Sequence, residues 1–512
     1  MVFVLLVGLY NPDLWLHFPA MDEIRSVSAG SDRLYIAVPS GVYILDRSDY
    51  RLIRTLTAAD GVKGSVRLCA FNPVRGDLFI LAGDKLYQYL DTPDEVFELF
   101  PPFKHVNSIG ISVDAAYFDT EQGFFRKERL LDRYEKTESL PTNIVWYGSR
   151  DTSKPEDYVF LVPYYFTDNQ LNNHRMTLVY RDPKARRLYV AAKDYGLMVY
   201  STNLGLSERH IRMGPTQDPI SRVVFVDDRL WFQGRDWTVS LDQHGKWSYF
   251  RTRLGDLPAF RTTLLFASLL DLARRESLTA FLPVPESRTA WVGTHRALYS
   301  IGPKGKLTRV LNLGLAVNGL AQLGDSLLIG TDAGLYVWYK DSLNEVLDPF
   351  GRTGFGVYSM VQTERWLWIG TLGGLVVIER VCAARRDSLA LPPKAYCDSA
   401  TDRVSGFVPD SGPCETEIWQ QVIPPGFDLS RPVRGLAAYA NTVFYDNGSG
   451  ITALTLSDMA DAPGMRDRTY LTIDRSSGLP HNDITAMYAD ERYLWIATPG
   501  TISRFDYRLA LR

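Results

Sequence analysis

The chain has 512 residues, 46% hydrophobic and 22% charged, which is the balance of an ordinary folded protein and excludes a disordered, collagen-like or disulfide-framework chain. Lys+Arg 56 against Asp+Glu 59 leaves a formal charge of -3, so no global field draws it to nucleic acid or anionic lipid. With 28 Tyr, 24 Phe, 11 Trp and 39 Gly, the composition favours strands and tight turns over helices.

From the N-terminus, Val2 to Tyr10 is apolar but too short to cross a bilayer, and Asn11-Pro12-Asp13 closes it. Residues 1–14 are expected to be a leader or partial signal segment. No Lys or Arg precedes Arg25 and no small-x-small cleavage pattern follows, so a first strand is the alternative. No membrane span is expected.

One pattern then recurs along residues 15–508. It reads RLYIAVPSGVYIL at 33–45, DLFILAGDKLYQY at 77–89, AAYFDTEQGFFRK at 115–127, RLYVAAKDYGLMVY at 187–200 and RLWFQGRDWTVSL at 229–241. It continues as TAWVGTHRALYSI at 289–301, SLLIGTDAGLYVW at 326–338, WLWIGTLGGLVVI at 366–378, TVFYDNGSGITAL at 442–454 and YLWIATPGTISRF at 493–505. Each copy is an apolar run, a short polar or Gly-containing turn and a second apolar run, which is the signature of a tight hairpin. A further strand precedes each hairpin, as at Val357 to Met360, and a fourth follows several, as at Trp247 to Phe250. Four antiparallel strands at roughly 40 to 50 residues make a β-propeller blade. Runs such as Leu367-Trp368-Ile369 are apolar on both faces, as radial blades covered on both sides require and an open sandwich does not.

The fold expected is therefore all-β, a β-propeller of about ten four-stranded blades in one ring, with two propellers as the alternative. The tenth hairpin ends at Phe505, close to the last residue, whereas Trp15-Leu16-His17-Phe18 shares the W-x-x-F form of Trp247 to Phe250. That strand is expected to complete the last blade. Insertions fall at 128–175, with an outer strand near Leu130-Leu131; at 251–277, with a short amphipathic helix over Thr263 to Glu276; and at 379–432.

The strings Leu367-Trp368-Ile369-Gly370-Thr371 with Gly374-Leu375, and Ser477-Gly478-Leu479-Pro480-His481-Asn482-Asp483-Ile484 with Asp490 and Leu494 to Thr498, resemble the two-component regulator propeller repeat. The resemblance spans about 22 to 508 and is strongest in the seventh, eighth and tenth units. It implies the extracytoplasmic sensor region of a bacterial hybrid two-component receptor, or a stand-alone secreted propeller. No transmembrane, kinase, receiver or DNA-binding segment follows the last blade, so ligand recognition or scaffolding, periplasmic or secreted, is what it implies here.

Chemistry-bearing signals are sparse. Ser240-x-Asp242-x-x-Gly245-x-Trp247 occurs once with its Gly displaced, so Asp242 reads as a turn residue rather than an aspartate box. The seven histidines show no H-x-x-x-H or H-E-x-x-H spacing, and no G-x-S-x-G elbow or P-loop stands before a helix. No catalytic residue, metal or cofactor is expected. Cys382, Cys397 and Cys414, spaced by 15 and 17, suit a disulfide among them better than a metal site, free thiols being the alternative. Cys69 reads as a small buried hydrophobe.

The second residue of each inner strand gives Arg25, Arg67, Asn107, Thr177, Ser221, Thr279, Asn318, Tyr358, Arg434 and Thr485, all polar and none acidic. Inner strands line a propeller's channel, so Arg25, Arg67, Asn107, Asn318, Tyr358 and Arg434 are the candidate ligand-binding residues at one mouth. They would take an anionic small molecule or glycan by charge-assisted bonds, or a protein partner. The bland reading is a solvated strand start. A non-enzymatic ligand-sensing or protein-interaction propeller is the leading expectation. A polysaccharide lyase or hydrolase and a structural adaptor are the alternatives.

Overall fold

The computed structural model describes residues 5–7, 10–73, 75–128, 133–150, 158, 164–167, 172–182, 184–203, 205–226, 228–234, 237–251, 272, 276, 278–284, 289–323, 326–346, 356–363, 366–372, 374–381, 416–422, 431–456 and 468–511. The disulfide expected among Cys382, Cys397 and Cys414, and nearly all of the helix expected over 263–276, lie outside the described residues.

Among the described residues the strands form ten sheets, taken in chain order of their inner strands. The inner strands are Ser26–Ala29, Val66–Asn72, Val106–Ile111, Asn173–Asp182, Arg222–Val226, Leu278–Val284, Val317–Leu323, Val357–Gln362, Leu436–Tyr439 and Ala486–Ala489. Each pairs antiparallel with the first arm of its hairpin, which pairs with the second arm, which pairs with an outer strand. In the tenth sheet the outer strand is Trp15–Pro19, with Trp15 opposite Phe505 and Phe18 opposite Ile502, as the shared W-x-x-F form indicates. Three sheets carry a fifth strand. Leu5–Val7 runs parallel to Tyr470–Thr472 in the ninth, so part of the segment expected as a leader joins a sheet. The outer strand described in the third sheet is Tyr134–Thr137, Leu130-Leu131 lying outside the described residues, and Val145–Gly148 pairs with that sheet's inner strand.

The Ile-Gly-Thr string has a packing origin. A Cβ on Gly293, Gly330 or Gly370 would lie 2.5 Å from Val317 Cγ1, 2.3 Å from Val357 Cγ1 or 2.4 Å from the Val433 carbonyl, each at the start of the next sheet. Glycine thus sets how closely neighbouring sheets approach. The following threonine closes the turn. The hydroxyls of Thr294, Thr331, Thr371 and Thr498 donate to the carbonyls of Ala297, Gly334, Gly374 and Thr501, at 3.2, 2.9, 2.9 and 3.2 Å.

Sheet faces meet in two separate circuits. Buried clusters join the first sheet to the second, the second to the third and the fourth back to the first. The third meets the fourth where Tyr147 stacks on Tyr180, ring centroids 6.0 Å apart. Other clusters join the fifth to the sixth and so on to the tenth, and the tenth returns to the fifth through Phe18, Trp495 and Ala497 against Ile220, Phe232 and Val239. One ring of ten would set the fourth face on the fifth and the tenth on the first. These clusters therefore correct that expectation, and the chain crosses between circuits near residues 19–25 and 211–220.

Candidate functional site

The ring of polar residues has a backbone cause. Pairing with the hairpin skips Arg67, Asn107, Thr177, Thr279, Asn318 and Tyr358, each the extra residue of a β-bulge directly after an apolar residue. A bulge removes a side chain from the regular alternation and re-aims it, so a polar group there need not enter the space between sheets. All ten polar positions are half-buried or exposed.

The two circuits divide the six candidate residues. Arg25, Arg67 and Asn107 start inner strands of the first circuit, and Asn318, Tyr358 and Arg434 those of the second. The three arginines therefore do not surround one mouth. Arg25 is committed between the first two sheets, its Nε donating to Glu23 at 2.8 Å and its Nη1 to Ser65 Oγ and the Val66 carbonyl at 2.9 Å. The centre of the first circuit is filled by Val145–Gly148. Tyr147 is buried there, its hydroxyl accepting from Ser28 Oγ at 2.9 Å, and a Cβ on Gly148 would lie 2.9 Å from Leu68.

The second circuit is open at its centre. A cavity of about 790 Å³ is lined by all six inner strands, from Ser221 and Thr279 through Asn318 and Ser359 to Arg434 and Thr485. Its walls mix apolar and small residues, including Phe281, Met360 and Trp366, with polar ones, including Gln362, Thr363, Asn441 and Tyr488. Asn318 is tied down, its amide donating to Asp332 at 2.5 Å and to the Val357 carbonyl at 2.9 Å. Arg434 is exposed on the lining. Tyr358 flanks Gly356 at the start of its strand.

One further cation lines this cavity. Arg222 is half-buried, and its Nη1 is closed off from solvent with no hydrogen-bond acceptor. Burial without a compensating anion pushes its guanidinium down to about 10, which leaves it charged at neutral pH. The Thr279 hydroxyl, on the neighbouring sheet and the same lining, is likewise buried without a partner. Among the described residues the lining includes these two arginines and no Asp, Glu, His or Lys.

Arg222 left a readable mark in the sequence. Residues at its place in the ten units are Ser26, Leu68, Ser108, Leu178, Arg222, Ala280, Gly319, Ser359, Gly435 and Ala486. Nine are small or apolar because this position faces the next sheet: a Cβ on Gly319 would lie 2.6 Å from Met360, and Ser359 donates to the Val433 carbonyl at 2.6 Å. Arg222 pairs with Gln233, which itself stands where the sixth, seventh and eighth sheets have the close-approach glycine. Two polar side chains thus replace two small ones where the fifth sheet meets the sixth. Asp242, the remaining motif residue, is a turn residue, accepting from the amides of His244 and Lys246 at 3.0 and 2.9 Å.

No protein-family model and no curated protein matches the chain. Among solved structures it is similar to PorZ, a surface component of the type-IX secretion system of Porphyromonas gingivalis, at 10% identity and TM-score 0.41 over 96% of this chain and 87% of that one. It is also similar to the extracellular domain of the putative hybrid two-component system BT3049 from B. thetaiotaomicron, at 13% identity and TM-score 0.37 over 99% and 71% of the two chains. A third similarity is to the extracellular domain of the putative one-component system BT4673 from the same organism, at 17% identity and TM-score 0.24 over 86% and 50%. Among the described residues no helix is long and apolar enough to cross a membrane.

Proposed function

We propose that the chain is a non-enzymatic, extracytoplasmic recognition protein in which the fifth to tenth sheets form a six-bladed propeller around a ligand-binding channel. The first four sheets form a second, compact propeller-like body inserted between the Trp15–Pro19 strand and the fifth sheet. The extracytoplasmic assignment follows from the resemblance of the repeat. The observation that carries the recognition reading is the channel itself: about 790 Å³ reached by six inner strands, with Arg222 and Arg434 on its lining and no carboxylate among the described lining residues. That volume lies in the range of about 300 to 1,000 Å³ usual for small-molecule sites, and a cation without a counter-charge favours an anionic occupant.

A thermal-shift screen of small anions and their neutral analogues tests this, because a ligand that binds only the folded state raises its stability. The same screen on Arg434→Glu, which puts a carboxylate at an exposed position of the channel lining, should show the anion shifts lost. Shifts that survive the substitution would place recognition elsewhere and defeat the proposal.

A further inference from the structure

Resting on the reading of the channel as a ligand site, we propose that its occupant is an extended peptide of a partner protein. The peptide adds as an antiparallel strand to the channel-side edge of the ninth sheet's inner strand, Leu436–Tyr439, and sets an acidic residue against Arg434.

The first circuit holds such a strand from its own chain. Val145–Gly148 pairs antiparallel with Val106–Ile111 on the edge away from the hairpin, and it fills the centre. Bonded and non-bonded pairs alternate along an antiparallel ladder. The Ser112 amide donates to the Ala115 carbonyl at 3.0 Å, so Ser108 and Gly110 bond to the hairpin, while Ile109 and Ile111 turn their N–H and C=O to the other edge. These two stand opposite Tyr147 and Val145 of the added strand. Gly110 between them leaves room for Trp146, since a Cβ there would lie 2.9 Å from its ring. In the fourth sheet Tyr165–Thr167 likewise takes the edge of the inner strand away from its hairpin.

The ninth sheet repeats this register with the edge bare. The Asp446 amide donates to the Gly435 carbonyl at 3.1 Å, so Ala437 forms the next bonded pair with the hairpin, and Leu436 and Ala438 turn their N–H and C=O toward the channel. Gly435 holds the place of Ser108 in the repeat, which gives Leu436 and Ala438 the places of Ile109 and Ile111. Among the described residues no strand is added to an inner edge of the second circuit. An unpaired edge is a template for another chain. Every residue from Arg434 to Asn441 lines the cavity, and the small Gly435, Ala437, Ala438 and Ala440 keep the backbone within reach. The seventh sheet's edge differs, because the Gln362 side chain covers it, bonded to the Gln322 amide and carbonyl at 3.0 and 2.8 Å. A lining of mixed polar and apolar character suits a peptide, whose backbone is polar throughout.

The charge preference follows from the same register. Ser149, the residue after the added strand, donates its amide to the Asn107 carbonyl at 3.4 Å, and Arg434 holds the place of Asn107. The residue that follows the paired stretch of the occupant therefore falls beside an exposed guanidinium, with no carboxylate among the described lining residues. An Asp or Glu there makes a charge-assisted cross-strand pair.

Calorimetric titration of the full chain with acetyl-Val-Trp-Val-Gly-Asp-amide tests the proposal. Saturable one-to-one binding is expected, with Asp→Asn in the peptide or Arg434→Gln in the protein weakening it about tenfold. N-methylation of the second Val, whose N–H meets Leu436, should weaken binding at least as much. N-methylation of the Trp, whose N–H points away from the sheet, should change it less than about twofold. Ala438→Pro removes a channel-side N–H while sparing the hairpin ladder, and should also weaken binding. The methylated peptides carry the test on the unaltered chain if that variant does not fold. Equal effects of the two methylations, or equal binding of a scrambled peptide, would overturn the added strand. A dimer of the chain that is lost in Ala438→Pro would give the edge to a second copy and overturn the partner peptide. Failure of the peptide to bind, while small-anion thermal shifts still depend on Arg434, would overturn this inference alone. Small-anion shifts and peptide binding that both persist in Arg434→Glu would remove the channel reading as well.

Discussion

Asp22 and Arg212, 190 residues apart, form an ion pair at 2.9 Å in which each side chain is only 5% exposed. Asp22 lies on the crossover that enters the first circuit and Arg212 on the one that leaves it. The second Asp22 oxygen accepts from the Gln217 amide at 2.7 Å, and the guanidinium lies 3.9 Å above the Tyr249 ring. Both crossovers are thus fastened at one point. Removing one member of a buried pair leaves the other charge uncompensated, so Asp22→Asn should destabilise the protein by about 3 to 5 kcal/mol. Chemical denaturation checks this. A double variant with Arg212→Met should recover part of the loss, because it removes the stranded charge.

The glycines that set sheet spacing make a second prediction. Gly330→Ala and Gly370→Ala should each destabilise by about 1 to 3 kcal/mol, the usual cost of overpacking. Gly302, where an added Cβ has only the Lys306 carbonyl near it at 3.8 Å, should tolerate Ala with little change. Equal midpoints for all three variants in urea would contradict the packing account of the Ile-Gly-Thr string.

Acid stability should depend on His17. It is buried in the outer strand of the tenth sheet, its Nδ1 2.9 Å from Ser503 Oγ and its Nε2 without a partner, and burial pushes its pKa from 6.5 down to about 4. Between those values the unfolded chain binds a proton that the folded chain does not, so stability falls as pH drops from about 6.5 to about 4. The loss from this residue approaches about 3 kcal/mol. Denaturation midpoints measured across that window should fall less steeply in His17→Gln than in the parent. Identical slopes would mean that the imidazole titrates alike in the folded and unfolded chains.

Blade content was legible because it is local: hairpin periodicity, the turn glycines and the W-x-x-F strand each follow from nearest-neighbour pairing. Ring membership was not, since Ile-Gly-Thr packing looks the same whichever sheet comes next. What divides the circuits is Tyr147 filling one centre and the crossovers fastened by Asp22 and Arg212, contacts between residues far apart in sequence. The polar ring was visible as a pattern, but its origin in β-bulges needs the register. Arg222 was overlooked because attention fell on the position before it, where polar residues are ordinary. One place later, nine small or apolar residues made the arginine exceptional.

The most direct test is a crystal structure of the chain with a small anion that stabilises it bound. The account predicts the anion among the inner strands of the fifth to tenth sheets, on the channel lining that carries Arg434. An anion held at an outer sheet face or between the two circuits would contradict it.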